Sequence, residues 1–258
     1  MRVLRSPGKT IRWEHGFAEY LFSPGIQART VLFDKDRRVA VVSKGLWRKM
    51  VREIPFGRVR RILYRIYAPV YFSSEVPGVR LESDWSEISL LLSDSPREIL
   101  YQEHYTIDKN GSPGRGAIGR ILGMAGEVAE MTGKPILIDW EEAEICLDLG
   151  SAKILLTGDL IPPPMRGREI PFREVEAVQA VRADRGYYAV RVVSRDGESF
   201  VTTQGYDTYT HLHETTELVT RFANLPFQKV ESRSLMVPAV GRRYAPITPS
   251  MRGTVPGR

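Results

Sequence analysis

Arg52-Glu53-Ile54-Pro55-Phe56 recurs as Arg168-Glu169-Ile170-Pro171-Phe172, 116 positions further along the chain. In both copies two apolar residues follow, three and six places after the phenylalanine: Val59 and Ile62, then Val175 and Val178. The units of a solenoid are about 20 to 50 residues long, whereas a small domain has about 100. The spacing therefore predicts two copies of one domain fold.

The composition is that of an ordinary globular protein. Of 258 residues, 42% are hydrophobic and 26% charged, which is enough apolar material for two cores. The single cysteine, Cys146, lies between apolar neighbours and cannot form an internal disulfide, so we expect an inert thiol and a reducing cytoplasm. The basic start, Met1–Lys9, has no apolar stretch after it, and no run approaches the roughly 20 apolar residues of a membrane span.

Charge is sorted by region. Residues 35–65 contain eleven Lys or Arg and two acids, whereas residues 75–148 contain fifteen acids and six bases. Two interpretations stay open: a surface that solvates its charges in blocks, or a basic face that binds anionic lipid, nucleic acid or an acidic protein. Nucleic acid is the weakest of these because neither a helix-turn-helix nor aromatics interleaved with arginine is evident.

Short alternating segments predict strands in the first half, and a change of period predicts a helix. Thr30–Phe33 and Arg38–Val42 favour a hairpin, and strand patterns continue through Val59–Phe72, Val79–Leu81 and Glu87–Leu92. Apolar residues at helical spacing predict a helix over Ala117–Met131, which Gly133 and Pro135 would end.

The second half repeats this order. Strand patterns occupy Ile136–Ile138, Glu144–Leu149 and Lys153–Thr157, and Tyr187–Val193 with Ser199–Thr203 forms a hairpin around Asp196-Gly197. A helix over Leu212–Asn224 would close the unit, with Asn224-Leu225-Pro226 ending it much as Gly133-Lys134-Pro135 ends the first.

This order resembles the pleckstrin-homology-like barrel, and the Ile-Pro-Phe strand is similar to one in its small bacterial members. The resemblance implies a mainly β, α+β protein of two tandem barrels, each with six or seven antiparallel strands closed by a C-terminal helix. We expect an N-terminal segment (1–16), two domains (17–135 and 136–228) and a basic tail (229–258). The resemblance also implies a binding or scaffolding module without catalytic residues.

Lipid-binding members of that superfamily use a basic cluster in their first hairpin, and residues of similar charge and rough location occur here. The candidate anion or partner face comprises Arg37, Arg38, Lys44, Arg48, Lys49, Arg52, Arg58, Arg60 and Arg61. Lipid headgroups and acidic proteins both remain candidates for it.

The segment Gly114-Arg115-Gly116-Ala117-Ile118-Gly119 matches the dinucleotide fingerprint G-x-G-x-x-G, and Asp139 lies about 20 residues on. The fingerprint needs a buried apolar strand running into its first glycine, but residues 105–113 are polar and turn-rich. We therefore expect a flexible glycine-rich loop and no cofactor, with an NAD(P)-dependent oxidoreductase as the alternative.

Other candidates for chemistry are weaker. His211, His213, Glu214 and Glu217 are close in sequence but favour a polar helix face over a metal site, since a structural zinc ion needs four ligands. No segment combines a nucleophile, a base and an oxyanion site, so we expect no enzyme activity.

Residues 229–258 contain four prolines and six basic residues against one acid, which predicts an extended arm without helix or sheet. Its expected docking residues are Leu235, Met236, Val237, Arg242, Arg243, Tyr244 and Ile247. The sequence thus favours a cytoplasmic, non-catalytic scaffold subunit with protein partners. The alternative is a peripheral adaptor on anionic lipid at the inner face of a membrane, and the oligomeric state stays open.

Overall fold

The computed structural model describes residues 2–6, 8–14, 30–44, 50–66, 70–73, 80–106, 113–141, 143–157, 161, 165–183, 187–206, 211–232, 236–240 and 243–246. These residues form mainly β-structure with two α-helices, which confirms the expected α+β class. The chain divides into two compact units: unit 1 is Met1–Glu142 with Cys146–Ala152, and unit 2 is Ala143–Ile145 with Lys153–Arg258. The domain bounds drawn from the sequence stay predictions.

The first ten strands and the first helix belong to unit 1. They are β1 (Arg2–Ser6), β2 (Thr10–Glu14), β3 (Thr30–Asp34), β4 (Val39–Lys44), β5 (Met50–Pro55), β6 (Val59–Ile66), β7 (Val70–Ser73), β8 (Arg80–Leu92), β9 (Glu98–Thr106), α1 (Pro113–Thr132) and β10 (Ile136–Trp140). Strand β11 (Ile145–Asp148) lies where the two units divide.

The remaining elements belong to unit 2. They are β12 (Lys153–Leu156), β13 (Glu169–Pro171), β14 (Val175–Ala183), β15 (Tyr187–Ser194), β16 (Ser199–Tyr206), α2 (His211–Phe222), β17 (Phe227–Ser232), β18 (Met236–Val240) and β19 (Arg243–Pro246). Single 3₁₀ turns, Phe56–Arg58 and Phe172–Glu174, follow β5 and β13.

An antiparallel meander, β1-β2-β3-β4-β5, forms the first sheet of unit 1. The β3–β4 hairpin confirms the sequence prediction, and the Asp34 carboxylate accepts the Arg37 N–H at 2.9 Å in its turn. Strands β1 and β2 were not predicted from the sequence, yet β1 pairs with β2, and Arg5 of β1 donates to Glu127 of α1 at 2.7 Å.

The repeated pentapeptide is a corner that ends one strand and starts another. Proline lacks the N–H that a strand needs, and its fixed φ suits a turn. Pro55 has φ −59° and ψ 138°, and Pro171 has φ −58° and ψ 141°. In each copy the valine after the 3₁₀ turn donates to the phenylalanine carbonyl, so Phe56 and Phe172 hold equivalent positions.

Three long antiparallel strands follow each corner: β6, β8 and β9 in unit 1, and β14, β15 and β16 in unit 2. Unit 1 has in addition the short strand β7, which lies between β6 and β8 in the chain and pairs with β8. Both sets contain β-bulges at the same two places. One bulge lies directly after the corner, where the first strand pairs with the second, and the other lies where the second strand pairs with the third. The bulges are Val59/Arg61 and Ile88/Ser89 in unit 1, and Val175/Ala177 and Val190/Arg191 in unit 2.

Both helices end on a residue with left-handed backbone, Gly133 at φ 66° and Asn224 at φ 55°, which are the two residue types that tolerate it best. Two residues later comes a proline, and the chain then enters a strand parallel to the one after the corner. The Pro135 carbonyl accepts the Ile62 N–H at 2.9 Å, which starts the β10–β6 pair. In unit 2 the Pro226 carbonyl accepts the Val178 N–H at 2.8 Å, which starts the β17–β14 pair.

The core of unit 1 lies between its sheets and α1. Trp13 of β2 is fully buried and meets Phe33 of β3 edge to face at 5.5 Å and Tyr101 of β9 at 6.3 Å. Helix α1 buries Ile121 and Ala125 on the side that contacts β6, β8 and β9. Aromatic and aliphatic side chains thus join the first sheet to the strands after the corner.

Three expectations are wrong. The sheets are open, not closed barrels, and each unit contains a parallel pair in addition to antiparallel ones. The glycine-rich segment from Gly114 is not a loop, because α1 already begins at Pro113. Residues 229–258 are not free of sheet, since 229–232 continue β17 and strands β18 and β19 pair with each other. Pairing between distant segments decided these points, and local residue patterns do not record such pairing.

The two corner phenylalanines allow a matched test of burial. Phe56 is 2% exposed whereas Phe172 is partly exposed, although their backbones agree. Phe56→Ala should lower the free energy of unfolding of unit 1 by about 3 to 5 kcal/mol, and Phe172→Ala should cost unit 2 clearly less. Urea denaturation followed by far-ultraviolet circular dichroism measures both, because all four tryptophans lie in unit 1 and their fluorescence does not report on unit 2. Equal losses would contradict the difference in burial.

Candidate binding surface

The basic segment lies on β4, β5, the first corner and β6, and the acidic segment lies on the elements that pack beside them in unit 1. Among the described residues, five ion pairs connect the two segments. They are Lys44–Glu98, Arg52–Glu98, Arg58–Asp94, Arg61–Asp148 and Arg65–Asp139. Neither interpretation drawn from the sequence anticipated this, because the opposite blocks of charge neutralise each other within one unit.

Glu98 at the start of β9 is the most buried acceptor of these pairs, with a side chain 6% exposed. Lys44 from the end of β4 contacts one carboxylate oxygen, and Arg52 from β5 donates to the other at 2.7 Å. Arg52 also donates to the Ser95 hydroxyl at 3.2 Å. A buried carboxylate is tolerable only when it is paired, so this pair of cations fixes β4 and β5 against β9.

The other pairs lie nearer the surface. Arg58 donates to both carboxylate oxygens of Asp94 at 2.7 Å, and this hydrogen bonding lowers the pKa of Asp94. Arg61 donates to Asp148 at 2.6 Å, and Arg65 donates to Asp139 at 2.7 Å across the parallel β6–β10 pair. The exposed Arg58–Asp94 pair adds little stability, and all three pairs determine which cations are left for a ligand.

The candidate face is therefore only partly available. Lys44, Arg52, Arg58 and Arg61 are engaged as above, and Arg37 pairs with Glu53 at 3.2 Å. Arg48 and Lys49 lie outside the described residues. Arg38 and Arg60 are exposed, and neither has an ion-pair partner among the residues that the structure describes.

Strand β5 adds an apolar element that the sequence reasoning missed. Among the described strands it is hydrogen-bonded only to β4, which makes it an edge. Met50 is 67% exposed and Val51 55% exposed. The missed signal was an apolar pair at the start of a strand whose remaining outward residues are charged.

A buried polar row in unit 1 was also missed. Arg65 of β6 lies opposite both Asp139 of β10 and Glu87 of β8, and Glu87 lies opposite Gln102 of β9. Glu87 is fully buried and accepts from Gln102 at 3.0 Å and from Arg97 at 3.2 Å. Only the strand register places these side chains side by side.

The geometry around Gly114 does not suit a dinucleotide. The glycines lie inside the first turns of α1, whereas the fingerprint places them in the turn between a strand and a helix. The strand before α1 is β9, which is antiparallel to β8. A Cβ on Gly119 would meet nothing within 4 Å, so no close backbone approach requires glycine there.

The remaining candidates for chemistry, Cys146 and the His and Glu residues of α2, contact other groups of the protein. Burial, followed by the nearby Asp139 and Asp148 carboxylates, raises the pKa of the Cys146 thiol to about 11, so the thiol stays protonated at neutral pH. His213 stacks on Phe227 at 5.9 Å, and Glu217 pairs with Arg221 one turn along α2. The described residues contain no group of three or more His, Cys, Asp or Glu placed to hold a metal ion.

The expected docking residues of the tail are only partly described. Met236 and Val237 lie in β18, and Arg243 and Tyr244 lie in β19. Leu235, Arg242 and Ile247 fall outside the described residues. Strand β18 pairs with β16 at Phe200 and Val240, which places this part of the tail in the sheet of unit 2.

Comparison with known proteins gives no family for this chain: it matches no family model and no curated protein. Within the described residues, no helix combines the length and apolar character that crossing a bilayer requires.

Removal of the buried Glu98 charge should be costly. Glu98→Gln leaves Lys44 facing an uncharged amide, and we expect a loss of about 3 kcal/mol in the free energy of unfolding. Asp94→Asn is the matched control, since it breaks an exposed pair with Arg58 and should have little effect. Urea denaturation compares the variants, and equal effects would mean that Glu98 does not hold the strands together.

Asp148 should contribute to acid sensitivity. Burial raises its pKa, but hydrogen bonds from Ser151 and Arg61 outweigh this, and the net pKa is lowered below the ordinary value. Its stabilising effect is therefore complete above about pH 4, the ordinary aspartate pKa, and is lost as pH falls through the lower folded value.

Asp148→Asn should lower stability at neutral pH and flatten the decline of the melting temperature between about pH 5 and 2. Glu141→Gln, at an exposed turn residue, is the control for loss of one negative charge. An unchanged acid slope in Asp148→Asn would contradict this role.

Proposed function

We propose that the chain is a non-catalytic binding or scaffold subunit of a protein assembly, built from two PH-like units. The support is the order of elements: a corner, three antiparallel strands with two bulges, and a closing helix occur in both units. This order resembles that of the pleckstrin-homology-like superfamily, whose members typically bind ligands and do no chemistry of their own.

The observation that carries the choice of a protein partner is the edge strand β5. An exposed apolar pair on a strand edge is a site for protein contact, because the edge offers unpaired backbone groups beside apolar surface. The basic face supports a lipid surface less well, since five of its nine cations are paired with carboxylates of the same unit.

Affinity capture with chemical crosslinking tests the proposal. The tagged full chain should retain a defined protein in fixed stoichiometry after washes at moderate salt, with yield compared between wild type and Val51→Asp. Leu4→Asp is the matched control, because Leu4 is an exposed apolar residue on β1 at the other edge of the same sheet. Failure to retain any stoichiometric partner would reject the scaffold function.

Sedimentation with acidic vesicles tests the lipid alternative. Each free Lys or Arg near an anionic surface contributes about 1 kcal/mol, so Arg38 and Arg60, the two cations of the face without an ion-pair partner among the described residues, should by themselves give no stable binding near physiological salt. Binding that persists there and is lost when Arg38 and Arg60 become Ser would favour a peripheral membrane adaptor.

A further inference from the structure

The two units differ at the surface next to their corners, although the corners themselves agree. Strand β5 begins at Met50, whereas the residues at the same distance before the second corner, Arg166 and Gly167, form a turn ahead of the shorter strand β13. The side chains of Met50 and Val51 are exposed, so the core of unit 1 does not need them to be apolar. Exposed apolar residues that the fold does not need are best explained by a binding role.

The other end of β5 differs in the same way. Arg60 is the extra residue of the bulge after the first corner, and Glu176 holds that position in unit 2. Both side chains are exposed, so the fold accepts either sign of charge. Arg38 is exposed at the same end, where its carbonyl accepts the Phe56 N–H at 2.9 Å. Unit 1 thus has two cations at the proline end of β5 and an apolar pair at its start.

We propose that the β5 edge binds an extended segment of a partner protein in which acidic residues precede an apolar pair. The segment adds to β5 as an antiparallel strand, the more stable pairing, so it runs from Pro55 toward Met50. Its acidic residues then lie near Arg38 and Arg60, and its apolar residues lie against Met50 and Val51. This inference rests on the proposed scaffold function and specifies the partner's chemistry.

The length of β5 sets the spacing within the partner segment. A strand rises about 3.4 Å per residue, so the four steps from Val51 to Pro55 span roughly 14 Å. Acidic residues should therefore precede the apolar pair by three to five positions. A second copy of the chain fits less well, because an antiparallel β5–β5 pair places the cations of each copy beside the apolar residues of the other rather than beside carboxylates.

Fluorescence anisotropy with labelled peptides tests the orientation. The probe is Glu-Asp-Thr-Thr-Thr-Val-Ile, and the matched control is the same composition in reverse order, Ile-Val-Thr-Thr-Thr-Asp-Glu. The full-length protein should bind the probe saturably, at least about fivefold tighter than the control, and less tightly as salt rises. Equal affinity for both peptides, or no binding of either, would overturn the proposal.

Variants locate the site. Val51→Asp, and separately Arg38→Glu with Arg60→Glu, should each weaken probe binding at least about fivefold, whereas Leu4→Asp should not. Met50→Asp is the second apolar variant should Val51→Asp fold poorly, since Met50 is the more exposed residue. Thermal melts confirm folding, and unchanged binding in the folded edge variants would overturn the proposed site.

Two further outcomes separate this inference from the scaffold function. If the full chain retains a partner equally well with and without Val51→Asp, the scaffold function stands and the β5 site is wrong. If analytical ultracentrifugation shows a wild-type dimer that Val51→Asp dissociates, the edge joins two copies of this chain and the partner segment is wrong.

Discussion

Each unit depends on the corner that Ile-Pro-Phe builds. Proline ends the strand, a single 3₁₀ turn follows, and the valine after it begins the next strand. The bulge beside the corner lies in this strand in both units. The parallel strand that follows the helix also pairs with it: Ile62 donates its N–H to the Pro135 carbonyl in unit 1, and Val178 donates its N–H to the Pro226 carbonyl in unit 2. The strand after the corner thus pairs with segments at both ends of the chain stretch that runs from the corner to the parallel strand after the helix.

The two copies stabilise corresponding positions by different means. In unit 1 the row Asp139, Arg65 and Glu87 is charged, whereas the equivalent strand positions in unit 2 are Val230, Val181 and Ala189, which pack together. Buried ions add no more stability than well-packed apolar groups but penalise wrong pairings strongly. Unit 1 therefore relies on charge matching between its strands where unit 2 relies on apolar packing.

Charge matching also changes the meaning of the basic segment. A run of cations in sequence indicates a binding face only when the fold leaves the cations unpaired. Here three carboxylates that are distant in sequence neutralise arginines of the segment: Glu98 lies 46 positions from its arginine partner, Asp94 lies 36 positions away, and Asp148 lies 87 positions away. Among the described residues, the cations without an ion-pair partner on the candidate face are Arg38 and Arg60, and the exposed apolar residues of β5 are Met50 and Val51. This mixed surface is the one for which we propose a protein ligand.

The sequence by itself determined the duplication, the β3–β4 and β15–β16 hairpins and both helix ends, because each of these is set by neighbouring residues: a turn glycine or asparagine, a proline after a helix, or an apolar period. The expectation of a continuous Ile-Pro-Phe strand is wrong, since in each copy the strand ends at the proline and a 3₁₀ turn begins at the phenylalanine. Tertiary structure decided the open sheets, the parallel β6–β10 and β14–β17 pairs and the strands within the tail. It also decided which cations are neutralised and which edge is exposed. These features depend on contacts between residues distant in sequence. Neither the alternation of apolar residues nor the count of charges indicates which strands pair with each other.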